Sequence, residues 1–236
     1  MNLILLFDDD FVDNGRRVRL TGRRFRHVLD VHRAREGEEL LVGKLGGRIG
    51  HGMITSLDQE SLEMEVALFH DPPDPLPVNV ILAVPRPKVL SRVIACLGSM
   101  GVKKIYLVNS WRVEKSYWDS PKLDIGNLHD HLIFGLEQGR DTVLPDIEIK
   151  RFLKPFVEDE LESIAHGTLR LIAHPSAGDD CPREVDGAVT LVIGPEGGFI
   201  TEEIDLFRRA GFSPVTVGSR VLRVETAVPA ILGRLF

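Results

Sequence analysis

The 236-residue chain is long enough for one large or two small domains with a sizeable core, and its net charge of −6 argues against a protein that coats nucleic acid indiscriminately. No apolar run approaches the roughly 20 residues needed to cross a bilayer, so no membrane partner is expected. The two cysteines, Cys96 and Cys181, stand far apart without ligand or bridge spacing, which makes a reducing cytoplasm the expected compartment.

Residues 1–7 are apolar but few, lack a basic flank and run into three aspartates; they read as a first strand rather than a signal peptide. The first third continues as β-rich sequence, with short candidate strands at 3–7, 18–20, 39–42, 48–55 and 62–68. In the last of these Leu62, Met64, Val66 and Leu68 alternate with Glu63, Glu65 and Ala67, as a half-buried strand requires. Glycines at 43, 46, 47, 50 and 52 suit hairpins and bulges, and a small barrel is the economical expectation. Between Arg16 and Arg35 lie eight arginines (Arg16, Arg17, Arg19, Arg23, Arg24, Arg26, Arg33 and Arg35) with His27 and His32, against one acid, Asp30. Such a patch is either an electrostatic footprint for phosphate or a solvated charged face; guanidinium, which pairs bidentately with phosphate and stacks on bases, tilts the reading towards RNA. A short helix around 23–31 carries part of it.

The stretch 70–77 has four prolines in eight residues, a stiff linker and the obvious domain boundary. Beyond it the rhythm changes. Strands are predicted at 78–84, 105–108, 147–152 and 169–173, and helices over 87–100, 123–139 and 155–166, an alternation that means a parallel sheet covered by helices. His129 and His131 flank Asp130, but residues two apart on a helix diverge and no metal-ligand spacing supports them, so no metal is expected.

The last 46 residues hold the densest pattern. A buried strand at 191–193 stops at Gly194-Pro195, passes Glu196 and Gly197-Gly198, and enters a helix with Ile204 and Phe207 on one face. A second strand at 215–217 breaks at Gly218, and a loop from Arg220 to Glu225 leads to a helix that Thr226 can cap, with Pro229 in its first turn. Glycine lets a ligand come close to the main chain. The phosphate-binding glycine signatures are missing, and Glu196, Glu202 and Glu203 put negative charge where phosphates would sit, so a zwitterionic or cationic ligand fits better, with plain turn punctuation as the alternative.

IGPEGGF followed by GSRVLRVETAVPAI resembles the cofactor-binding signature of the small-subunit rRNA uracil-N3 methyltransferases of the SPOUT superfamily (RsmE-like). The resemblance extends to GVKKIYLVNSWRVEKSYW and GLEQGRDTVLPDI in the centre and RRFRHVLDVHRAREGEELLVG near the start, so it spans nearly the whole chain. It implies an α/β protein: an N-terminal PUA-like β-barrel RNA-binding domain (1–71), the proline-rich linker (72–77), and an α/β SPOUT methyltransferase domain (78–236) with a C-terminal trefoil knot. It also implies S-adenosylmethionine as cofactor, 16S rRNA or the assembled small subunit as partner, a homodimer, and methylation of N3 of one uridine in the decoding region. A different rRNA or tRNA target, and a non-catalytic RNA-binding assembly factor, are the competing functions; intact glycine loops speak against the latter.

Carried over by position, the cofactor contacts are Ala173, His174, Pro175, Ile193, Gly194, Pro195, Gly197, Gly198, Val217, Gly218, Leu222, Thr226 and Ala227. Uracil N3 holds its proton at neutral pH, so the reaction needs a base or a cation that stabilises the developing anion, on an unpaired or flipped nucleotide. Arg223 is assigned to the uracil or a neighbouring phosphate. Glu196 and Glu225 are the carboxylates for the N3 proton or the cofactor ammonium, unless they serve only as loop hydrogen-bond partners. Arg16, Arg17, Arg19, Arg23, Arg24, Arg26, Arg112, Lys115 and Arg140 are the candidate RNA contacts; for Arg112, Lys115 and Arg140 a network tying loops together is the competing reading. Trp111, Tyr117 and Trp118 either stack on a flipped base or belong to the core. The apolar final helix is a dimer surface by resemblance and ordinary core otherwise. Two departures from the family pattern stand out: the chain opens MNLILLF rather than with an arginine-rich strand, and SRVIACLGSMGV has Ser99-Met100 where a glutamate is usual, so any role of that acid is lost.

Overall fold

Alternation of apolar and polar residues gives the first sheet its buried face, and continuous apolar runs give the second sheet two. The structure, a computed structural model, describes residues 2–13 and 15–236. The chain forms two compact units: one runs through Asp74 and includes Ile133–Leu144, the other comprises Pro75–Leu132 and Pro145–Phe236. No helix among the described residues is long and apolar enough to cross a membrane.

The first unit contains β1 (Ile4–Leu6), β2 (Arg17–Leu20), β3 (Glu39–Lys44), β4 (Ile49–Leu57) and β5 (Leu62–His70), with α1 (Gly22–His27) running on into a π turn at Val28–His32. The strand order is β1-β3-β4-β5-β2, parallel between β1 and β3 and antiparallel elsewhere. Instead of a closed barrel this is a sheet with edges at β1 and β2. It curls, because Ile4 and Leu6 from one edge share a core cluster with Val18 and Leu20 from the other, along with Phe25, Val42, Ile54, Leu62 and Met64. Curling brings backbones close: at Gly50, beside a register shift in β4, an added Cβ would lie 1.8 Å from the Ala67 carbonyl oxygen, so only glycine fits.

Leu3, Leu5 and Ile49 face the other way, onto Leu136. The Asn2 and Leu3 N–H groups donate to the Glu137 carbonyl, both at 3.0 Å, and Gly46 N–H donates to the Thr142 carbonyl at 2.8 Å. For this reason 133–144, expected within 78–236, packs with the first unit: the outward face of β1 is apolar and needs a cover.

The second unit carries β6 (Val78–Ala83), α2 (Pro87–Ser99), β7 (Lys104–Val108), α3 (Lys115–Trp118), α4 (Ile125–Gly139, whose last turns belong to the first unit), β8 (Asp146–Lys150), α5 (Leu153–Pro155), α6 (Leu161–Ile164), β9 (Leu169–Ala173), β10 (Asp179–Asp180), β11 (Val189–Ile193), α7 (Thr201–Arg209), β12 (Ser213–Thr216) and α8 (Val224–Leu235). Its seven strands are all parallel, in the order β10-β12-β9-β11-β6-β7-β8. Every residue of β11 is buried, as expected for a central strand covered on both faces. Its one polar member, Thr190, is satisfied by the Thr168 hydroxyl at 2.8 Å.

The path reverses at β6 and β11: from β6 the chain proceeds to the neighbouring β7, whereas from β11 it proceeds to β12 on the opposite side. Loops that part in this way at the carboxyl ends of parallel strands leave a crevice, the usual ligand position in open α/β sheets.

Candidate functional site

Three loops, following β9, β11 and β12, meet on the β11 side of that crevice. Together they enclose a cavity of about 380 Å³, within the range of small-ligand sites. Local sequence sets each loop's path. Gly198 takes φ +69°, a left-handed turn closed by its N–H on the Pro195 carbonyl at 2.8 Å. At Gly194 an added Cβ would stand 3.1 Å from the Phe199 ring, so the strand end and that ring pack as closely as glycine allows. In the last loop Gly218 has φ +145°, and the Thr216 hydroxyl donates to its carbonyl at 2.9 Å.

The Arg223 carbonyl accepts from the N–H groups of Thr226 (2.9 Å) and Ala227 (2.7 Å) and thereby starts α8. The cap is therefore Arg223 rather than Thr226, and Pro229 lies inside the helix instead of in its first turn. The sequence expectation was displaced because Val224 is buried and is drawn into the helix, which moves its start three residues earlier.

The cavity brings together most of the residues assigned to the cofactor. Ala173, His174 and Pro175 form one wall, Ile193, Gly194, Pro195, Gly197 and Gly198 a second, and Val217, Leu222 and Ala227 a third. Gly218 and Thr226 do not line it. Of the three residues assigned to the chemistry, Arg223 lines the cavity and is exposed, and Glu196 lines it with one carboxylate oxygen accepting the Arg86 N–H at 3.0 Å; Glu225 sits on the first turn of α8 and does not line it. The Glu196 contact joins the loop after β11 to the loop after β6, across the reversal point.

Phe199, Arg220, Val221 and Ile231 also line the cavity and went unassigned from sequence, although all four stand inside the quoted motifs. His174 Nδ1 accepts the Ser176 N–H at 3.2 Å, which leaves the proton on Nε2. Burial first, and then the Arg208 charge, lower its pKa, so the imidazole that faces the cavity is neutral.

A larger cavity, about 770 Å³, opens in the same unit at the carboxyl ends of β7 and β8 against α7, and the glycine loops do not form it. The two are joined by short contacts. The Arg112 guanidinium donates to the Gly197 carbonyl, and its stem would lie 3.1 Å from a Cβ at Gly197. Trp111 N–H donates to Glu203 at 2.8 Å, while the other oxygen of Glu203 accepts the Ile200 N–H at 3.0 Å at the start of α7. Arg112 is thus engaged with the cofactor-side loop, and Lys115 lines the larger cavity.

The arginines of the first unit differ in their partners and burial. Arg24 is bound bidentately by Asp10, donates to the Leu5 carbonyl at 2.7 Å and lies 4.3 Å from the Phe7 ring centroid, with its side chain only 13% exposed. Arg23 grips the fully buried carboxylate of Glu137 with contacts of 2.9 and 3.2 Å. Arg17 pairs with Asp13, and Arg19 reaches the Ser61 hydroxyl. Arg23 and Arg24 both bind buried carboxylates, which require partners: Arg24 is itself nearly buried, whereas Arg23 keeps 43% of its side chain exposed. Arg16, Arg26 and Arg140 are exposed. Among the described residues no cluster of His, Cys, Asp and Glu is placed to hold a metal ion.

Comparison with known proteins adds a name to this geometry. The RNA methyltransferase domain family matches residues 72–235. The chain is 30% identical to the ribosomal RNA small subunit methyltransferase E of Treponema pallidum, over 98% of this chain and 88% of that protein. It is 27% identical to the corresponding methyltransferase E 1 of Borreliella burgdorferi, over 98% of this chain and 95% of the relative. Among solved structures, a ribosomal RNA small subunit methyltransferase E from Neisseria gonorrhoeae bound to S-adenosyl methionine superposes with a TM-score of 0.75 at 22% identity, covering 98% of this chain and 95% of that one, which shows the shared fold. A methyltransferase from Legionella pneumophila in complex with the same cofactor gives a TM-score of 0.75 at 25% identity, with 98% and 96% covered. The protein therefore belongs to the RNA methyltransferase family, among the ribosomal RNA small subunit methyltransferases E.

Proposed function

We propose that this protein transfers the methyl group of S-adenosylmethionine to N3 of one uridine in the decoding region of 16S rRNA. The observation that carries the reading is the cavity enclosed by the loops after β9, β11 and β12, on a chain of this family. Its composition suits the cofactor: apolar side chains such as Val217, Leu222 and Ile231 for a flat adenine, glycine backbone for close main-chain contact, and neutral His174 rather than a cation facing a sulfonium.

When bound, the cofactor supplies an activated methyl on a good leaving group. The chain's own residues hold the geometry. Arg112 fixes the Gly197 peptide, Glu196 fixes the loop to Arg86, and Arg223 stands at the cavity to stabilise negative charge on the uracil oxygens as the N3 proton passes to solvent water. With Glu196 bonded to a backbone N–H and Glu225 away from the cavity, Arg223 is the side chain on which the reaction depends most. In the same reading the first unit is a PUA-like RNA-binding domain, the second a SPOUT domain with a trefoil knot that acts as a homodimer, and Arg16, Arg26 and Arg140 are the outward contacts for rRNA.

The test is methyl transfer from labelled S-adenosylmethionine to purified small subunits lacking the modification, with free rRNA and tRNA alongside, followed by nucleoside analysis. The expected product is 3-methyluridine on the subunits; label in tRNA would change the target, and no label in any RNA would overturn the reading. Arg223→Ala should lower turnover by about a hundredfold or more while stability and cofactor affinity hold, because its capping contact is made by the backbone carbonyl. Near-normal turnover would remove Arg223 from the mechanism.

A further inference from the structure

The larger cavity of the second unit has no part in the mechanism above, yet it displays two of the most exposed aromatic rings of the chain. Trp111 is 81% and Phe152 is 75% exposed. Trp111 follows β7 and Phe152 follows β8, so the rings stand at adjacent carboxyl strand ends, with Val113, Leu153, Pro155 and Leu206 as an apolar floor. Exposed rings of this size cost solvation free energy unless something flat and apolar covers them.

Charge narrows the occupant. Lys115, Arg151, Lys154 and Arg209 line the groove. Two of its acids are already engaged: Glu158 lies 3.8 Å from Lys154, and Glu203 accepts the N–H groups of Trp111 and Ile200, leaving Glu202. Lys115, Arg151 and Arg209 make no ion pair among the described residues, and the Arg151 guanidinium lies 5.5 Å from the Trp118 ring centroid. Aromatic faces interleaved with unpaired cations match a single-stranded nucleic acid, which offers bases to the rings and phosphates to the cations. Position agrees: Ile200, at the end of the loop, and Glu203, in the first turn of α7, line this groove while Gly197 and Gly198 in that loop line the smaller cavity.

We propose that the groove between the ends of β7 and β8 and helix α7 holds the unpaired RNA strand flanking the target nucleotide, with Trp111 and Phe152 stacking on bases and Lys115, Arg151 and Arg209 meeting phosphates. This rests on the RNA methyltransferase reading and extends it by a strand-binding track separate from the cofactor cavity. Trp111→Ala leaves intact the backbone N–H that holds Glu203, so the loop keeps its shape.

The experiment titrates the full chain with an oligouridylate of about ten nucleotides, a length typical of single-strand sites, and follows tryptophan fluorescence, which comes only from Trp111 and Trp118. Quenching is expected in the wild type. Trp111→Ala and Phe152→Ala should each weaken binding about tenfold, Trp111→Phe should restore most of it, and Arg209→Gln should reduce the dependence of affinity on salt by about one counterion. Cofactor affinity should stay unchanged in all four variants. Unchanged oligonucleotide affinity in both alanine variants would overturn the proposal, and so would a fall in molecular mass on sedimentation, which would make the groove a contact between copies of the chain. The same proteins assayed for methyl transfer separate the two readings: a wild type that transfers methyl while both alanine variants bind RNA normally breaks only the groove. A wild type that is quenched yet methylates no RNA breaks the enzymatic reading and leaves the groove standing.

Discussion

The arginine stretch of the first unit and the glycine loops of the second are both dense local patterns, but folding treats them in opposite ways. Arg23 and Arg24 sit side by side and each binds a buried carboxylate, Glu137 and Asp10, but Arg24 is nearly buried while Arg23, like Arg16 and Arg26, remains exposed. Gly194, Gly197 and Gly198 keep one collective purpose and converge with two other loops on a single cavity. Backbone freedom is a property of the residue itself, whereas the use of a charge depends on which partner the fold delivers, and for Arg23 that partner is 114 residues distant.

The contrast can be broken most decisively at Arg24. Replacing it with alanine strands the Asp10 carboxylate, whose side chain is 10% exposed, and should destabilise the protein by about 3 kcal/mol or more in urea unfolding. Unchanged stability with weakened RNA binding would return Arg24 to the surface patch. Gly198→Ala is the smaller perturbation. An added Cβ meets nothing within 4 Å, so the penalty is that of the left-handed φ alone, roughly 1–2 kcal/mol, and it should appear in cofactor affinity as the loop relaxes. A variant with full affinity would make this glycine plain turn punctuation. Arg16→Ala with Arg26→Ala should leave stability within about 0.5 kcal/mol, as for exposed sites away from structural features, while lowering affinity for rRNA.

The weakest effect is with pH. Burial lowers the pKa of His27, His131 and His174, so below the ordinary histidine value of about 6.5 the unfolded chain takes up protons that the folded chain resists. Stability should decline as pH falls from there towards the folded values, and His174→Gln should flatten that decline. The depressed carboxyls Asp13 and Asp58, held by backbone N–H donors, act in a lower window, below about pH 4, where their stabilisation is lost. A midpoint in urea that is flat between pH 7.5 and pH 5.5 would show that the histidines carry no such linkage.

Much of the candidate site was legible because its signals are local. Gly194, Gly198 and Gly218 mark close packing or positive φ, and the strand-to-loop transitions at 193–194 and 216–217 lie within a few residues of them. What escaped was Arg86, which meets Glu196 across the reversal of the sheet; Arg112, read as an RNA contact or a residue tying loops together, holds the Gly197 carbonyl. Thr226 has the chemistry of a helix cap and lost the position to Arg223 because cap preference, about 1 kcal/mol, is smaller than what burying Val224 contributes.

By itself the sequence determined the periodicities, and through them the β-rich first third, the parallel α/β remainder and the glycine loops that bound the cavity. It also carried the motifs that identify an RNA methyltransferase. Only the tertiary structure decided that the first sheet stays open, that 133–144 leaves the second unit to cover β1, and which carboxylates Arg23 and Arg24 bind. Periodicity tells a residue which face it occupies. What lies against that face is set by pairings between distant segments, which no local pattern contains.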